Sequence, residues 1–339
     1  MFAFSSAGAP NLSLIPGGGR RRVTPPPPLP RFKADDCEIE VRGALDLDAA
    51  APAWAGLAKR ALAPSPFCEH AFLAAAARHL PEGRHLDALL VWRGETLIGV
   101  APVVGPRLGA PLRRLAPWRA DLLPAATPLI DRDAAPRALG ALLAFAGERR
   151  VPLILGDVPA GSALAEALVE KGLRVLTPPR TPTPDPAPEA PAAAGLDVAV
   201  ARSAGEIRDA VEIFLALDAE TARARRALAL VQDPGRANLV RTATRRAARE
   251  KACRVHVARR DGRPVAAIVV ARGMIWLSAE AADAPGAVAA LVARARVAPA
   301  PPCADWTSAP PPSARRPGAR AAELVAAARR LLSPLSRAS

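Results

Sequence analysis

The chain of 339 residues has no tyrosine, only four cysteines and only 4% aromatic residues. Without tyrosine, no phenol is available as a proton donor at an active site. Cys37, Cys68, Cys253 and Cys303 are scattered without a C-x-x-C pair, which argues against a zinc site and against a disulfide framework. We therefore expect reduced thiols, no bound metal and a cytoplasmic protein.

Long apolar runs and the motifs of two large enzyme classes are also missing. The sequence has no stretch of about 18 consecutive apolar residues, so it predicts no transmembrane helix. It has no G-x-S-x-G and no G-x-x-x-x-G-K-[ST] motif, which argues against an α/β-hydrolase and a P-loop enzyme. Residues 1–33 carry GGGRRR and PPPPLP without a continuous apolar core, which is typical of a disordered Pro/Arg-rich arm.

Positive charge is plentiful, with 46 basic against 32 acidic residues and a net charge of +14. The most basic predicted helix covers residues 236–250 and places Arg241, Arg245 and Arg249 on one face at i, i+4 spacing. Such an arginine stripe can hold phosphates or another polyanion, and a solvated helix face is the alternative. No helix-turn-helix, zinc-finger or RRM signature accompanies it, so nucleic acid is not the expected partner.

Residues 253–295 predict a strand, a tight turn, two further strands and a helix. Asp261-Gly262 separates two runs rich in Val, Ile and Ala, a pattern typical of a β-hairpin with a two-residue turn. A third strand is predicted over residues 274–278, and a helix over residues 287–295.

That last helix follows Pro285-Gly286 directly. The free N–H groups and the dipole at a helix start favour an anion such as a pyrophosphate. The sequence therefore predicts a phosphate site at this turn, and an ordinary helix start is the alternative.

A similar pattern occurs earlier in the chain. Residues 85–104 again predict strand, turn and strand, with Gly94 in the turn where the later copy has Gly262. Each hairpin follows a helical stretch, at residues 66–80 and at residues 236–250. Order and spacing suggest an internal duplication and hence an α+β protein with two similar halves.

Proline marks the boundary between the halves. TPPRTPTPDPAPEAP, which begins at Thr177, cannot sustain a helix or a central strand, because proline removes backbone donors and fixes φ. The predicted organisation is therefore an arm, a first domain, a linker, a second domain and a tail, at residues 1–33, 34–176, 177–194, 195–332 and 333–339. The first domain is predicted to end with a parallel strand, a helix and a short strand, at residues 151–158, 162–171 and 173–176. The second is predicted to end with a short strand in CADWTS and an amphipathic helix over residues 319–332.

Trp54, SPF from Ser65, WRGETLIGVAPVV from Trp92 and RDGRPVAAIVV from Arg260 with its downstream PG form a pattern that resembles the cellulose-biosynthesis (CelD-type) acetyltransferases of the GNAT superfamily. It is also similar to the Fem-type aminoacyl transferases. The resemblance implies tandem GNAT-like domains, in an α+β fold with mixed central sheets flanked by helices. It further implies acetyl-CoA or another acyl-CoA as co-substrate, a small-molecule or glycan amine as acceptor, and a role in polysaccharide or envelope biosynthesis.

The acyl-CoA is predicted to lie against the third strand and the helix start of the second half, at Trp276, Leu277, Ser278, Pro285, Gly286 and Ala287. Transfer to an amine needs a base, and Glu280 and Asp283 lie between the strand and the helix start. For these two carboxylates the alternative is a solvated helix cap. For Trp276 the alternative is an ordinary core residue.

Two departures from the family pattern bear on activity. Many GNAT enzymes use a tyrosine to protonate the departing CoA thiolate, and the aromatic stretch that ends in Ser-Pro-Gly is here SAEAADAPG. A thiol with a pKa of about 8.5 still leaves as the thiolate without an acid beside it. The alternative function is a catalytically degenerate GNAT-like module that binds an anionic partner through the arginine-rich helix.

Overall fold

The computed structural model describes residues 31–105, 114–123, 126–180, 195–297 and 301–308. Most of the predicted arm and of the predicted linker lies outside these residues, as do the predicted helix 319–332 and the tail. We call residues 31–180 the first half of the molecule and residues 195–308 the second half. The described chain is an α+β fold of sheets and helices, as predicted. The paired strands of its three sheets are antiparallel, where mixed sheets were predicted.

The first half contains a six-stranded sheet. Its strands are β1 Arg31–Ala34, β2 Cys37–Gly43, β3 Asp87–Arg93, β4 Thr96–Val104, β5 Ala116–Pro117 and β6 Leu129–Ile130. They follow the order β1-β2-β3-β4-β5. β6 also pairs with β4, on the same side as β5 but at Gly99 and Val100. The first half also contributes β7 Ile154–Pro159 and β8 Arg174–Arg180.

The helices of the first half are α1 Ala51–Arg60, α2 His70–His79, α3 Ala135–Glu148 and α4 Ala163–Glu170. The helix predicted over residues 66–80 begins only at His70, because Pro66–Cys68 forms a separate 3-10 turn. Ser162 caps α4, since its side chain accepts a hydrogen bond from the N–H of Ala165.

The second half contains a four-stranded sheet in the order β12-β11-β10-β9. Its strands are β9 Asp197–Ala201, β10 Cys253–Arg260, β11 Arg263–Ala271 and β12 Met274–Glu280, and its helices are α5 Ala204–Arg225, α6 Pro234–Arg249 and α7 Ala287–Ala295. The structure confirms the predicted hairpin and the predicted helix 287–295. Asp261 and Gly262 form the turn with positive φ values of 52° and 79°.

The strand predicted in CADWTS is β13 Cys303–Thr307, but it does not join the sheet of the second half. It lies between β7 and β8 and is antiparallel to both. The strand predicted over residues 151–158 as parallel is observed as β7, which is antiparallel to β13. Leu153, just before β7, forms a single parallel bridge with Leu115. β8 extends to Arg180, so the strand continues into the stretch predicted as linker. Pairing between distant segments decides these features, and local sequence does not encode it.

The main hydrophobic core is shared by both halves. It includes Trp54 and Phe72 from the first half, and Phe214 and Leu239 from the second. α2 packs on α6 through buried alanines, whose small side chains let the two backbones approach closely. Gly235 at the start of α6 lies so near α2 that an added Cβ would be 2.5 Å from the carbonyl oxygen of His79.

A second core lies within the first half around Phe145, and Trp306 of β13 packs in it. Among the described residues, no helix combines the length and the apolar composition needed to cross a bilayer.

Candidate functional site

β12 is an outer strand of its sheet and carries a β-bulge. Ile275 pairs with Val270 and Leu277 pairs with Val269, so Trp276 between them has no partner on β11. In the described part of the chain, β12 pairs with no strand on its other side. Bulges redirect side chains and are frequent beside active sites. β12 therefore offers a distorted strand edge at the position predicted for the acyl-CoA.

The indole of Trp276 is directed into the core, where it is 6% exposed. Its ring lies edge-on to Phe72 of α2, with 4.9 Å between ring centroids. Its Nε1–H donates a hydrogen bond to the carbonyl oxygen of Leu122 at 2.5 Å. The side chain thus joins the second half to two segments of the first.

The other residues predicted to contact the donor differ in exposure. Leu277 is half-buried against the core, while Ser278 and Pro285 are exposed. Gly286 has a φ of 82°, a left-handed conformation that favours glycine, and it precedes the first residue of α7. Ala287 is fully buried and fixes the start of the helix against the sheet.

Glu280 is held directly at the start of α7. Its Oε2 accepts a hydrogen bond from the N–H of Val288 at 3.1 Å, and its backbone carbonyl accepts one from the hydroxyl of Thr221. The structure thus brings this predicted base together with the predicted phosphate site. One of the first N–H groups of α7 already has a carboxylate partner.

Asp283 is placed differently. Its carboxylate is 61% exposed and forms an ion pair of 2.8 Å with Arg263, which also contacts Glu220. An exposed pair of this kind contributes about 0.2–1 kcal/mol to stability. Asp283 is therefore a solvated surface carboxylate close in sequence to the helix start.

Sequence reasoning missed a charged cluster at β13. Arg119 contacts Asp305 of β13 at 2.6 Å and Asp157 of β7 at 3.2 Å. Burial raises the pKa of Asp157, Arg119 opposes that rise, and the like charge of Asp305 adds to it. Arg119 lies three residues before Leu122, so one short segment reaches both this cluster and the indole of Trp276.

Asp157 also has a left-handed backbone, with a φ of 55° inside a strand. Such a conformation costs a residue with a Cβ about 1–2 kcal/mol, and strained residues often lie at functional sites. No local signal reveals the cluster, since 186 positions separate Arg119 from Asp305.

The predicted arginine stripe lines a groove between α5 and α6 with a volume of about 430 Å³. Arg241 is bound to both carboxylate oxygens of Glu212, at 2.7 and 2.8 Å, whereas Arg245 and Arg249 have no acidic partner among the described residues. The stripe is therefore neutralised at one of its three members.

Several solved structures resemble the chain at low identity. A tandem GNAT protein from the clavulanic acid biosynthesis pathway is 17% identical, with a TM-score of 0.36 over 80% of this chain and 98% of that one. The C-terminal domain of a protein named as a lysylphosphatidylglycerol synthetase from Agrobacterium fabrum is 14% identical, with a TM-score of 0.44 over 74% and 75% of the two chains. FemX is 15% identical, with a TM-score of 0.36 over 66% and 58%. At these values the likenesses carry no argument about activity. No curated protein matches the chain.

The sequence of the second half matches a known family directly. Residues 189–274 match the acetyltransferase (GNAT) domain. The match includes β9, α5, α6, β10 and β11, and it ends at Met274, the first residue of β12. It therefore stops just before the residues that form the candidate site. Within its α+β fold, this chain therefore contains a segment that is similar to the acetyltransferase (GNAT) domain.

Proposed function

We propose that the protein is an N-acyltransferase that transfers an acyl group, acetyl in the first instance, from acyl-CoA to an amine. The observation that carries the proposal is the continuous path from the bulged edge of β12 to Gly286 and the start of α7. A strand edge with free backbone groups can pair with an extended chain that contains amides, which describes the pantetheine arm of CoA. The GNAT segment at residues 189–274 supports the reaction class.

The donor would lie along Trp276, Leu277 and Ser278 through backbone contacts, because the indole of Trp276 is in the core. Its pyrophosphate would face the turn formed by Pro285, Gly286 and Ala287. The carboxylate of Glu280 already occupies the N–H of Val288. The pyrophosphate must therefore share this helix start with Glu280 or displace its side chain.

The chemistry needs one base and no acid. The acceptor ammonium loses a proton to a carboxylate, and the resulting amine attacks the thioester carbonyl. The C–S bond then breaks to release CoA as the thiolate, and the nitrogen loses its second proton to solvent to give the amide. A thiolate with a pKa of about 8.5 leaves without protonation, so the absence of tyrosine is compatible with turnover. Glu280 and Asp283 are the proposed bases.

The resemblance to the CelD-type and Fem-type enzymes supports a small-molecule or glycan amine as acceptor, in polysaccharide or envelope biosynthesis in the cytoplasm. The arginine groove between α5 and α6 favours a second candidate function. In that case the protein is a catalytically degenerate GNAT-like module, and the groove binds an anionic partner.

Calorimetry with acetyl-CoA, free CoA and ATP tests the proposal. We expect the protein to prefer the two CoA compounds over ATP, because ATP lacks the pantetheine that pairs with β12. Gly286→Glu places a carboxylate at the proposed pyrophosphate position and should abolish this preference.

Gly172→Glu is the matched control, because Gly172 has a φ of 76°, open space around it and a position outside the site. Equal affinity for acetyl-CoA and ATP would overturn the donor site and favour the binding module. Unchanged acetyl-CoA affinity in Gly286→Glu would show that the site is wrongly placed.

A further inference from the structure

A second cavity lies where α6 and α7 both end, beside the turn between β11 and β12. Its volume is about 500 Å³. Its charged or titratable lining residues in the described part of the chain are all basic, namely Lys251, Arg254, His256, Arg272 and Arg296. No carboxylate lines this cavity in that part of the chain.

Most of these cations have no acidic partner in the described ranges of the chain. Arg272 contacts Glu69 and, at 3.7 Å, Glu250. Lys251, Arg254 and Arg296 form no ion pair with any described residue. Three cations without an acidic partner among the described residues therefore line one cavity, whereas an arginine such as Arg119 is paired with two aspartates.

The backbone around this cavity is unusual at three of its cations. Lys251, Arg272 and Arg296 all have left-handed φ values, of 56°, 45° and 52°. Each such position costs a residue with a Cβ about 1–2 kcal/mol, and glycine is the usual choice after a helix or in a tight turn. The chain instead places a cation at all three positions around one cavity.

The surrounding negative charge does not cancel these cations. The carboxyl ends of α6 and α7 together contribute roughly one negative charge. Glu69 and Glu250 carry two negative charges and contact one positive charge, that of Arg272, so they add one further negative charge. The three unpaired cations outweigh both contributions, so the cavity keeps a positive charge.

His256 also lines the cavity and is 8% exposed, so its imidazole lies close to these positive charges. Burial lowers the pKa of its imidazole, and the positive charges of Arg254 and Arg202 lower it further. An anion in the cavity would reverse the electrostatic part of this shift.

We propose that this cavity binds a small ligand that carries a phosphate group. Arginine and lysine are the side chains that recognise phosphates, and the volume is within the usual range for small-molecule sites. The site is distinct from the proposed donor site, because it lies at the opposite end of α7. A helix of nine residues separates its two ends by about 14 Å.

Inorganic pyrophosphate is the probe, added to the full chain at constant ionic strength while NMR follows the imidazole signals of the four histidines. We expect saturable binding that shifts the His256 signal most and raises its pKa. Arg296→Glu should weaken this binding about tenfold or more, because it replaces an attractive contact to a charged phosphate by a repulsive one.

Arg226→Glu is the matched control, because Arg226 also follows a helix with a left-handed φ of 54° but does not line the cavity. Arg254→Ala, on the exposed face of β10, is a second variant that avoids the left-handed position and should also weaken binding. Equal loss in Arg296→Glu and Arg226→Glu would show that binding follows net charge and would overturn the proposal. An unmoved His256 signal would overturn it as well.

Discussion

The two halves of the molecule build their hairpins in the same way. β3 and β4 close at Arg93 and Thr96, and β10 and β11 close at Arg260 and Arg263, with two turn residues in each case. Both ladders then have a bulge on the second strand, two residues after the turn-closing pair. This register aligns Gly94 with Asp261, one position away from the predicted match to Gly262. The shared bulge supports the duplication more strongly than the residue identities do.

The halves differ in the outer strand that follows the hairpin and in the helix start after it. The outer strand β6 has two residues and ends at Ile130, whereas β12 has seven and ends at Glu280. The following residue in the first half, Asp131, is 4% exposed, pairs with Arg60 at 2.8 Å and accepts the N–H of Asp133. The segment before α3 is therefore held by a partly buried ion pair. The second half keeps a left-handed glycine and a partly exposed carboxylate at the equivalent place, which supports a donor site in that half alone.

The largest effect is expected at β13, the strand of the second half that pairs with β7 and β8 of the first half. Trp306→Ala deletes a side chain of β13 that packs in the core of the first half, and we expect the free energy of unfolding to fall by about 3–5 kcal/mol. Because the main core is shared, chemical denaturation should still show one transition. Leu228→Ala is the control, since Leu228 is 62% exposed and should change stability by less than about 0.5 kcal/mol. Two separate transitions would mean that the halves are independent.

Asp131→Ala tests whether the helix start of the first half is purely structural. It removes the carboxylate partner of Arg60 and the acceptor of the Asp133 N–H, and we expect a loss of about 1–3 kcal/mol of stability by urea titration. Asp133→Ala, at the exposed neighbour, should have little effect. Acetyl-CoA affinity should stay unchanged in both variants, and weaker binding in Asp131→Ala would place the donor in the first half.

Glu280→Gln tests the carboxylate at the helix start of the second half and should change binding only slightly. Gln can still accept the N–H of Val288, but the negative charge at the helix start is lost. Because this charge opposes a pyrophosphate, the Kd for acetyl-CoA should fall about two- to fivefold. If Glu280 is also the base, turnover should fall by about a hundredfold or more.

Asp283→Asn is the companion variant, since the carboxylate of Asp283 is exposed and paired with Arg263. It removes the same charge three residues away without touching the cap of α7. Turnover should fall in whichever of the two variants lacks the base. If affinity and turnover both stay unchanged in Glu280→Gln, Glu280 is an ordinary helix cap.

Local features were predictable from the sequence. Asp261-Gly262 gives the hairpin, and Pro285-Gly286 gives the exact start of α7, because turn residues and helix starts depend on neighbours in the chain. The partner of β13 was not predictable, because CADWT specifies a strand but not the sheet that receives it. For the same reason the cluster of Arg119, Asp157 and Asp305 had no sequence signal.

The sequence by itself determined the α+β composition, the repeated hairpins, the free thiols and the positive charge. Tertiary structure alone decided that the indole of Trp276 is in the core and that Glu280 caps α7. It also brought Lys251, Arg272 and Arg296 to one cavity. The physical reason is the range of the interactions, since turn chemistry and hydrophobic periodicity act over a few residues. The pairing of β13 with β7 and β8, the ion pairs and the grouping of cations around one cavity instead depend on segments that only folding brings together.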